Sequence, residues 1–367
     1  MKVLLLHKAL VNGAYQKKAE ALAAIPGVEL TVIVPPSWRE LRAGVQPLER
    51  RHTAGYALIV APIWFNGHHH IHCYPTLGRI VRRVRPDVFH VDEEPFNLAT
   101  AQAFQAAARV GARSLFVTWA TVYRNYPPPF SLFERYTHQR AAAAVAGNQD
   151  ALDILRRRGY CGPVEIVPLA IDPDLYPPRQ EAARGDTFTI GFLGRLVREK
   201  GGHVLLDAAA RLRGDWRVFF IGGGVEAANL RAQAEQLGVA GRVEFVPSVP
   251  STEVPRWLQL LDALAVPSLT MPNWQEQFGR VIIEAMAAAV PVIGSDSGEI
   301  PRVIADAGLV TAEGDAAALA TALQRLLDDE PERQRLGAAG RERALANYTW
   351  ERVARQYHGL YQRMLEG

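Results

Sequence analysis

Short β-branched runs alternate with Ala- and Leu-rich stretches along the whole chain, and this alternation leaves few folds open. In the first half the runs are VLLL, ELTVIV, ALIVA, DVFHV, SLFVT and VEIV. Between them lie helical patterns such as YQKKAEALAA, PTLGRIVRRV and LATAQAFQAAARVG. In the second half FTIGFLG, WRVFFIG, RVEFV, ALAVP, PVIGS and GLVTA repeat the scheme. A strand that is apolar at nearly every position is buried on both faces, as happens when helices cover a parallel sheet. Two such series predict two doubly wound α/β domains. With 367 residues, about half of them apolar, the chain can fill two cores.

The boundary is expected within residues 167–186, VPLAIDPDLYPPRQEAARGD, which hold four prolines and no periodic pattern. One domain then spans 1–172 and the other 173–348. Residues 349–367 read as a terminal amphipathic helix with Val353, Tyr357, Leu360, Tyr361 and Met364 on one stripe. Two distant cysteines, Cys73 and Cys161, give neither a disulfide framework nor a metal spacing, so a reducing cytoplasm is the expected compartment. The opening MKVLLLHKALV is too short in apolar length for a signal peptide, and no apolar run nears the ~20 residues of a membrane span. The net charge of +3 is uneven. Residues 1–175 carry 20 Lys and Arg against 14 Asp and Glu, and the remainder 21 against 24. No basic-aromatic platform for nucleic acid is present.

Open α/β sheets bind ligands beyond the carboxyl ends of their strands, so the residues that follow each strand are the candidates. In GFLGRLVREKGG, Gly194 ends a strand and Arg195 and Lys200 follow before a helix. Two cations beside a helix start suit a phosphate. In FFIGGGVEAANL, Gly222–Gly224 sit in a second strand-to-helix turn, where a glycine such as Gly223 lets a ligand approach closely. The stretch EQFGRVIIEAMA places Glu276 in a loop and Glu284 in the second turn of an apolar helix starting near Gly279. A carboxylate buried there costs several kcal/mol unless it is paired or hydrogen-bonded. A sugar diol would satisfy it, and the amides of Phe278 and Gly279 offer a helix N-terminus to a diphosphate.

The E-x7-E spacing, the Ala-rich helix, PVIGSDSGEIPRVI and the upstream GR…EKG together resemble retaining glycosyltransferase family 4, over residues 188–350. The resemblance implies the GT-B fold, two Rossmann-like domains facing across a cleft. It implies a hexosyl transfer from a UDP- or GDP-sugar to a hydroxyl acceptor (a lipid, a glycan or a small metabolite), without a bound metal or other cofactor. It assigns the donor sugar to Glu276, the ribose diol to Glu284 and the diphosphate to Arg195 and Lys200, with Gly194, Gly223, Phe278 and Gly279 lining the donor. It also implies that the first domain binds the acceptor and that residues 349–367 cross back onto it. Relatives that lean on membranes use a basic, aromatic helix. Phe130, Leu132, Phe133, Tyr136 and Arg135 are the candidates here, for a peripheral contact at the inner membrane face.

The first half departs from the family pattern. A first-domain His after the fifth strand is replaced by Ala120, beside Trp119, and the DEEP…TW stretch resembles a less-described branch. The usual Gly-Gly pair after the first strand is reduced to Gly13, preceded by Asn12, which would approach the donor phosphate. Compensation is expected from FHVDEEPFN, where His90, Asp92, Glu93 and Glu94 lie at a strand's carboxyl end. Adjacent acids raise each other's pKa, so at least one must reach solvent or pair with an Arg. Glu93 or Glu94 is the expected acceptor-binding group or base. His68, His69, His70 and His72 suggest a metal site, an acceptor pocket or a plain loop. Competing readings are a nucleotide-sugar 2-epimerase and a non-catalytic GT-B binding partner.

Overall fold

The computed structural model of the chain describes residues 1–40, 44–178 and 187–366. The second half of the expected linker, 179–186, lies outside the described residues. The chain forms two compact units, one of residues 1–168 with the C-terminal helix Trp350–Glu366, the other of residues 169–349.

The first unit is built on β1 (Lys2–Leu6), β2 (Glu29–Val34), a hairpin of β3 (Ser37–Glu40) and β4 (Gly44–Pro47), then β5 (Ala57–Val60), β6 (Val88–Val91), β7 (Arg113–Thr118), β8 (Ala143–Ala146) and β9 (Val164–Ile166). Seven of these make a parallel sheet in the order β5-β2-β1-β6-β7-β8-β9. The second unit holds β10 (Phe188–Leu193), β11 (Trp216–Ile221), β12 (Val243–Val246), β13 (Ala263–Val266), β14 (Val292–Ser295) and β15 (Leu309–Thr311). These form a parallel sheet in the order β12-β11-β10-β13-β14-β15. Each sheet is doubly wound, as the apolar strands required. Leu4, Phe89, Phe104 and Phe116 lie in one core and Ile190, Leu205, Phe220 and Leu323 in the other.

In each sheet the strand order reverses at one place, between β1 and β6 and between β10 and β13. Chain leaving those neighbouring strands diverges to opposite faces and opens a crevice. Register brings Leu6 beside Val91 and Gly191 beside Leu264. The segments that begin at His7 and Asp92 therefore emerge together, as do those at Gly194 and Pro267.

Three strands escaped the pattern. β8 reads AAVA, and a run of small residues with high helix propensity carries no strand signal until tertiary burial selects it. The hairpin β3–β4 reads SWRE and GVQP, with no apolar alternation. The terminal helix Trp350–Glu366 buries Val353, Tyr357, Leu360, Tyr361 and Met364 against the first unit. His90, expected among the site residues, is instead sealed beneath this helix, with Nδ1 2.7 Å from the Tyr361 hydroxyl. Burial holds its pKa well below the usual imidazole value. No helix among the described residues is long and apolar enough to cross a membrane.

Candidate functional site

In the second unit, two segments from the switch point lock together. Gly201 adopts a left-handed φ of 70°, and a Cβ there would stand 1.8 Å from the Pro267 carbonyl oxygen. Only glycine permits that approach. The amide of Leu269 also donates to the Glu199 carbonyl at 2.8 Å. This closure sets Lys200 against Glu276. The two form an ion pair, the Ser268 hydroxyl donates to Glu276 Oε2 at 3.0 Å, and Lys200 lies 5.1 Å from the Trp274 ring centre. Glu276 is buried, so the lysine supplies the compensation that its carboxylate requires.

Glu284 projects from the helix Arg280–Ala287, which starts at Gly279 with a φ of 73° and no capping side chain. The first N–H groups of such a helix seek an external acceptor. Arg280 Nε stands 2.8 Å from Glu284 Oε1, and the Tyr176 hydroxyl hydrogen-bonds to the same carboxyl. Burial raises the pKa of Glu284, against the pull of Arg280 and Tyr176. Beside it lies a pocket of about 300 Å³ lined by Gly194, Arg195, Gly222, Gly223, Ser248 and Glu284, among others. Arg195 is largely exposed and only 3.9 Å from Glu199, a weak surface pair that leaves its guanidinium available to a ligand. The Phe278 ring packs on Tyr348 at 5.6 Å, so its side chain anchors the segment.

In the first unit, the three acids of DEEP separate into three environments. Asp92 meets the Lys18 ammonium at 2.5 Å and His7 Nδ1 at 3.1 Å. Burial opposes its ionisation, but these neighbours outweigh burial and hold the carboxyl well below its usual range. Glu93 is buried in an ion pair with Lys8, accepts from Asn97 Nδ2 at 3.1 Å and lies 3.5 Å from His72 Nε2. Burial alone would raise its pKa, whereas Lys8 and His72 bring it down to about 2. Glu94 accepts from the Trp119 amide at 2.8 Å, and burial pushes its pKa up to about 7. Sequence reasoning expected an Arg or solvent to relieve this cluster. Lysines from the loop and helix after β1 do so instead.

Gly13 N–H donates to Glu49 Oε2 at 3.0 Å, and its Cα packs under Arg51. Ala120 follows β7 and lines a small cavity with Phe96, Tyr126 and Arg158. The four histidines do not converge, and the described residues contain no group of three or more His, Cys, Asp or Glu side chains able to hold a metal. His72 is buried with Nδ1 2.9 Å from the His69 carbonyl, while His70 is exposed and meets Asn97. On the helix Phe130–Arg140, Leu132 is exposed, whereas Phe130 packs on His70 at 5.5 Å and Arg140 covers Tyr136. Sequence reasoning missed Lys8, Asn97, Ser268, Tyr176 and Arg280. Their types are common, and only the register of two sheets brings them to the acids.

Two Rossmann-like parallel sheets in one chain, with the acidic and basic residues of the second gathered at its switch point, define the GT-B class of α/β proteins. The model of glycosyl transferases group 1 matches residues 178–343 and that of glycosyltransferase family 4 matches residues 17–175. A D-inositol 3-phosphate glycosyltransferase of Stackebrandtia nassauensis is 32% identical over 309 residues, 75% of this chain and 68% of that protein. The chain belongs to glycosyltransferase family 4. A GDP-mannose-dependent α-(1-6)-phosphatidylinositol monomannoside mannosyltransferase of Mycolicibacterium smegmatis is 32% identical over 231 residues, 59% of this chain and 57% of that protein. The matched region spans about half the length of several curated relatives, from 42% to 57%. Among solved structures, Anabaena HepE in complex with UDP superposes with a TM-score of 0.74 at 17% identity, covering 99% of this chain and 100% of that one, a likeness of fold.

Proposed function

We propose that the protein transfers a hexosyl group from a nucleotide-diphospho-sugar to an alcohol, with retention at the anomeric carbon. One observation carries the reading: buried Glu276 and Glu284, each held by a cation, flank the uncapped helix start at Gly279, with Glu284 also lining a pocket beside Arg195. Glu284 then takes the ribose diol, Glu276 the sugar, and the helix start with Arg195 and Lys200 the diphosphate. The bond from the anomeric carbon to the phosphate oxygen breaks, and the bond to the acceptor oxygen forms on the same face. The acceptor proton leaves with the diphosphate. Arg195 and Lys200 stabilise negative charge that grows in the transition state. The first unit binds the acceptor. The relatives' names, which specify D-inositol 3-phosphate and phosphatidylinositol monomannoside, support a polyhydroxylated alcohol.

The test is a panel of UDP-, GDP- and ADP-sugars with candidate alcohols, the product's anomeric configuration being read by NMR. A product of the donor's own configuration is expected. Inverted product, or a donor isomerised without acceptor, would contradict the reading. Lys200→Ala and Glu284→Ala should each lower turnover by roughly 100-fold or more while circular dichroism stays that of the wild type. Full activity in either variant removes these donor assignments.

A further inference from the structure

The histidine run does not form a metal site, yet one of its members is oriented with care. His70 Nδ1 lies 3.2 Å from Asn97 Oδ1. Asn97 is buried, and its Nδ2 donates to Glu93 Oε2 at 3.1 Å. These bonds fix proton positions in sequence. Glu93, ion-paired with Lys8, is a carboxylate and only accepts. Asn97 must therefore turn its NH2 toward Glu93 and its carbonyl oxygen toward His70. That oxygen only accepts, so His70 Nδ1 carries the hydrogen. In the neutral ring the lone pair then resides on Nε2.

The ring is also clamped. Phe96 and Tyr126 meet it edge-on at 5.3 and 5.8 Å, and Phe130 at 5.5 Å. Its backbone carbonyl accepts from Leu98 N at 2.9 Å, at the start of the helix Leu98–Ala108. The residue is nonetheless exposed. An imidazole clamped by three rings, with its tautomer set by a buried carboxylate–amide pair, is held in one orientation at the surface. Phe96 and Tyr126 also line the cavity of Ala120.

We propose that His70 is an acceptor-contacting residue, its Nε2 receiving a hydrogen bond from a hydroxyl of the polyol or sugar acceptor, with Asn97 and Glu93 as positioning residues. The inference rests on the transferase reading and names the group that meets the acceptor. It also accounts for a chain whose residue 120 has no imidazole to offer.

Two readouts test it. The first is the ¹⁵N spectrum of the His70 ring in the whole protein, with myo-inositol and methyl α-D-mannopyranoside as probes. A single Nδ1–H tautomer is expected, converted to a mixture in Asn97→Leu, with Nε2 moving when a probe is added. A wild-type ring that is Nε2–H or mixed overturns the proposal. The second is transfer kinetics with the alcohol that the donor panel identifies. His70→Ala should lower kcat/KM for the acceptor at least tenfold and leave the nucleotide's thermal shift unchanged, and His70→Gln should recover part of the loss. Wild-type kcat/KM in His70→Ala overturns the proposal. If the wild type transfers no sugar at all, the transferase reading fails, and the tautomer measurement still decides the orientation of His70.

Discussion

Glu94 shows how one residue ties stability to pH. Its carboxyl is raised by burial from 4.5 to about 7 in the folded chain. Between those values the folded state holds a proton that the unfolded state has lost. Stability therefore falls as pH rises through this window, by up to about 3 kcal/mol, and the loss is complete above the folded pKa. Glu94→Gln keeps an acceptor for the Trp119 amide and carries no titrating group. Measured against this variant, the wild type's urea midpoint should fall between about pH 5 and about pH 8, since every other titrating group is common to both proteins. Parallel curves would show that Glu94 does not titrate there. Gly201 makes a second prediction at this scale. Gly201→Ala forces a Cβ onto the Pro267 carbonyl at a left-handed φ, and should cost more than ~1 kcal/mol and weaken nucleotide binding. Among residues, Glu276, Glu93 and Glu94 stood out by their positions after strands and Glu284 by its place in an apolar helix. Their partners were not, because Lys8, Tyr176 and Arg280 are ordinary residues until the sheets set their neighbours.

At the scale of elements, apolar strands and one amphipathic helix were readable, and low-contrast elements were not. β8 is made of alanine and valine, so only its place in the sheet distinguishes it from a helical turn. The terminal helix was plain from its stripe, but the polar contacts beneath it were not. Tyr361 meets buried His90, and Lys18 reaches the Tyr357 hydroxyl at 3.3 Å while pairing with Asp92. These contacts tie the helix to the segment that bears Glu93. Tyr361→Phe would leave His90 Nδ1 without its partner, at a cost of about 1–3 kcal/mol. A drop of that size in unfolding free energy is expected by chemical denaturation. An unchanged value would mean that the hydroxyl contributes nothing net.

At the scale of the molecule, the two series of strands give two Rossmann-like units, and each gathers ion-paired side chains at the switch point of its own sheet. That coincidence follows from topology, since neighbouring parallel strands with diverging connections leave a crevice that side chains and helix starts must line. On the proposed function, the second unit holds a nucleoside diphosphate in the pocket beside Glu284. A thermal-shift series with UDP, GDP and ADP, on the wild type and Glu284→Ala, tests it most directly. A nucleotide at ~100 times its dissociation constant adds about 2.7 kcal/mol to the folded state. One of the three should raise the melting temperature of the wild type and not that of the variant. No shift with any of them, or an equal shift in both proteins, would contradict the account.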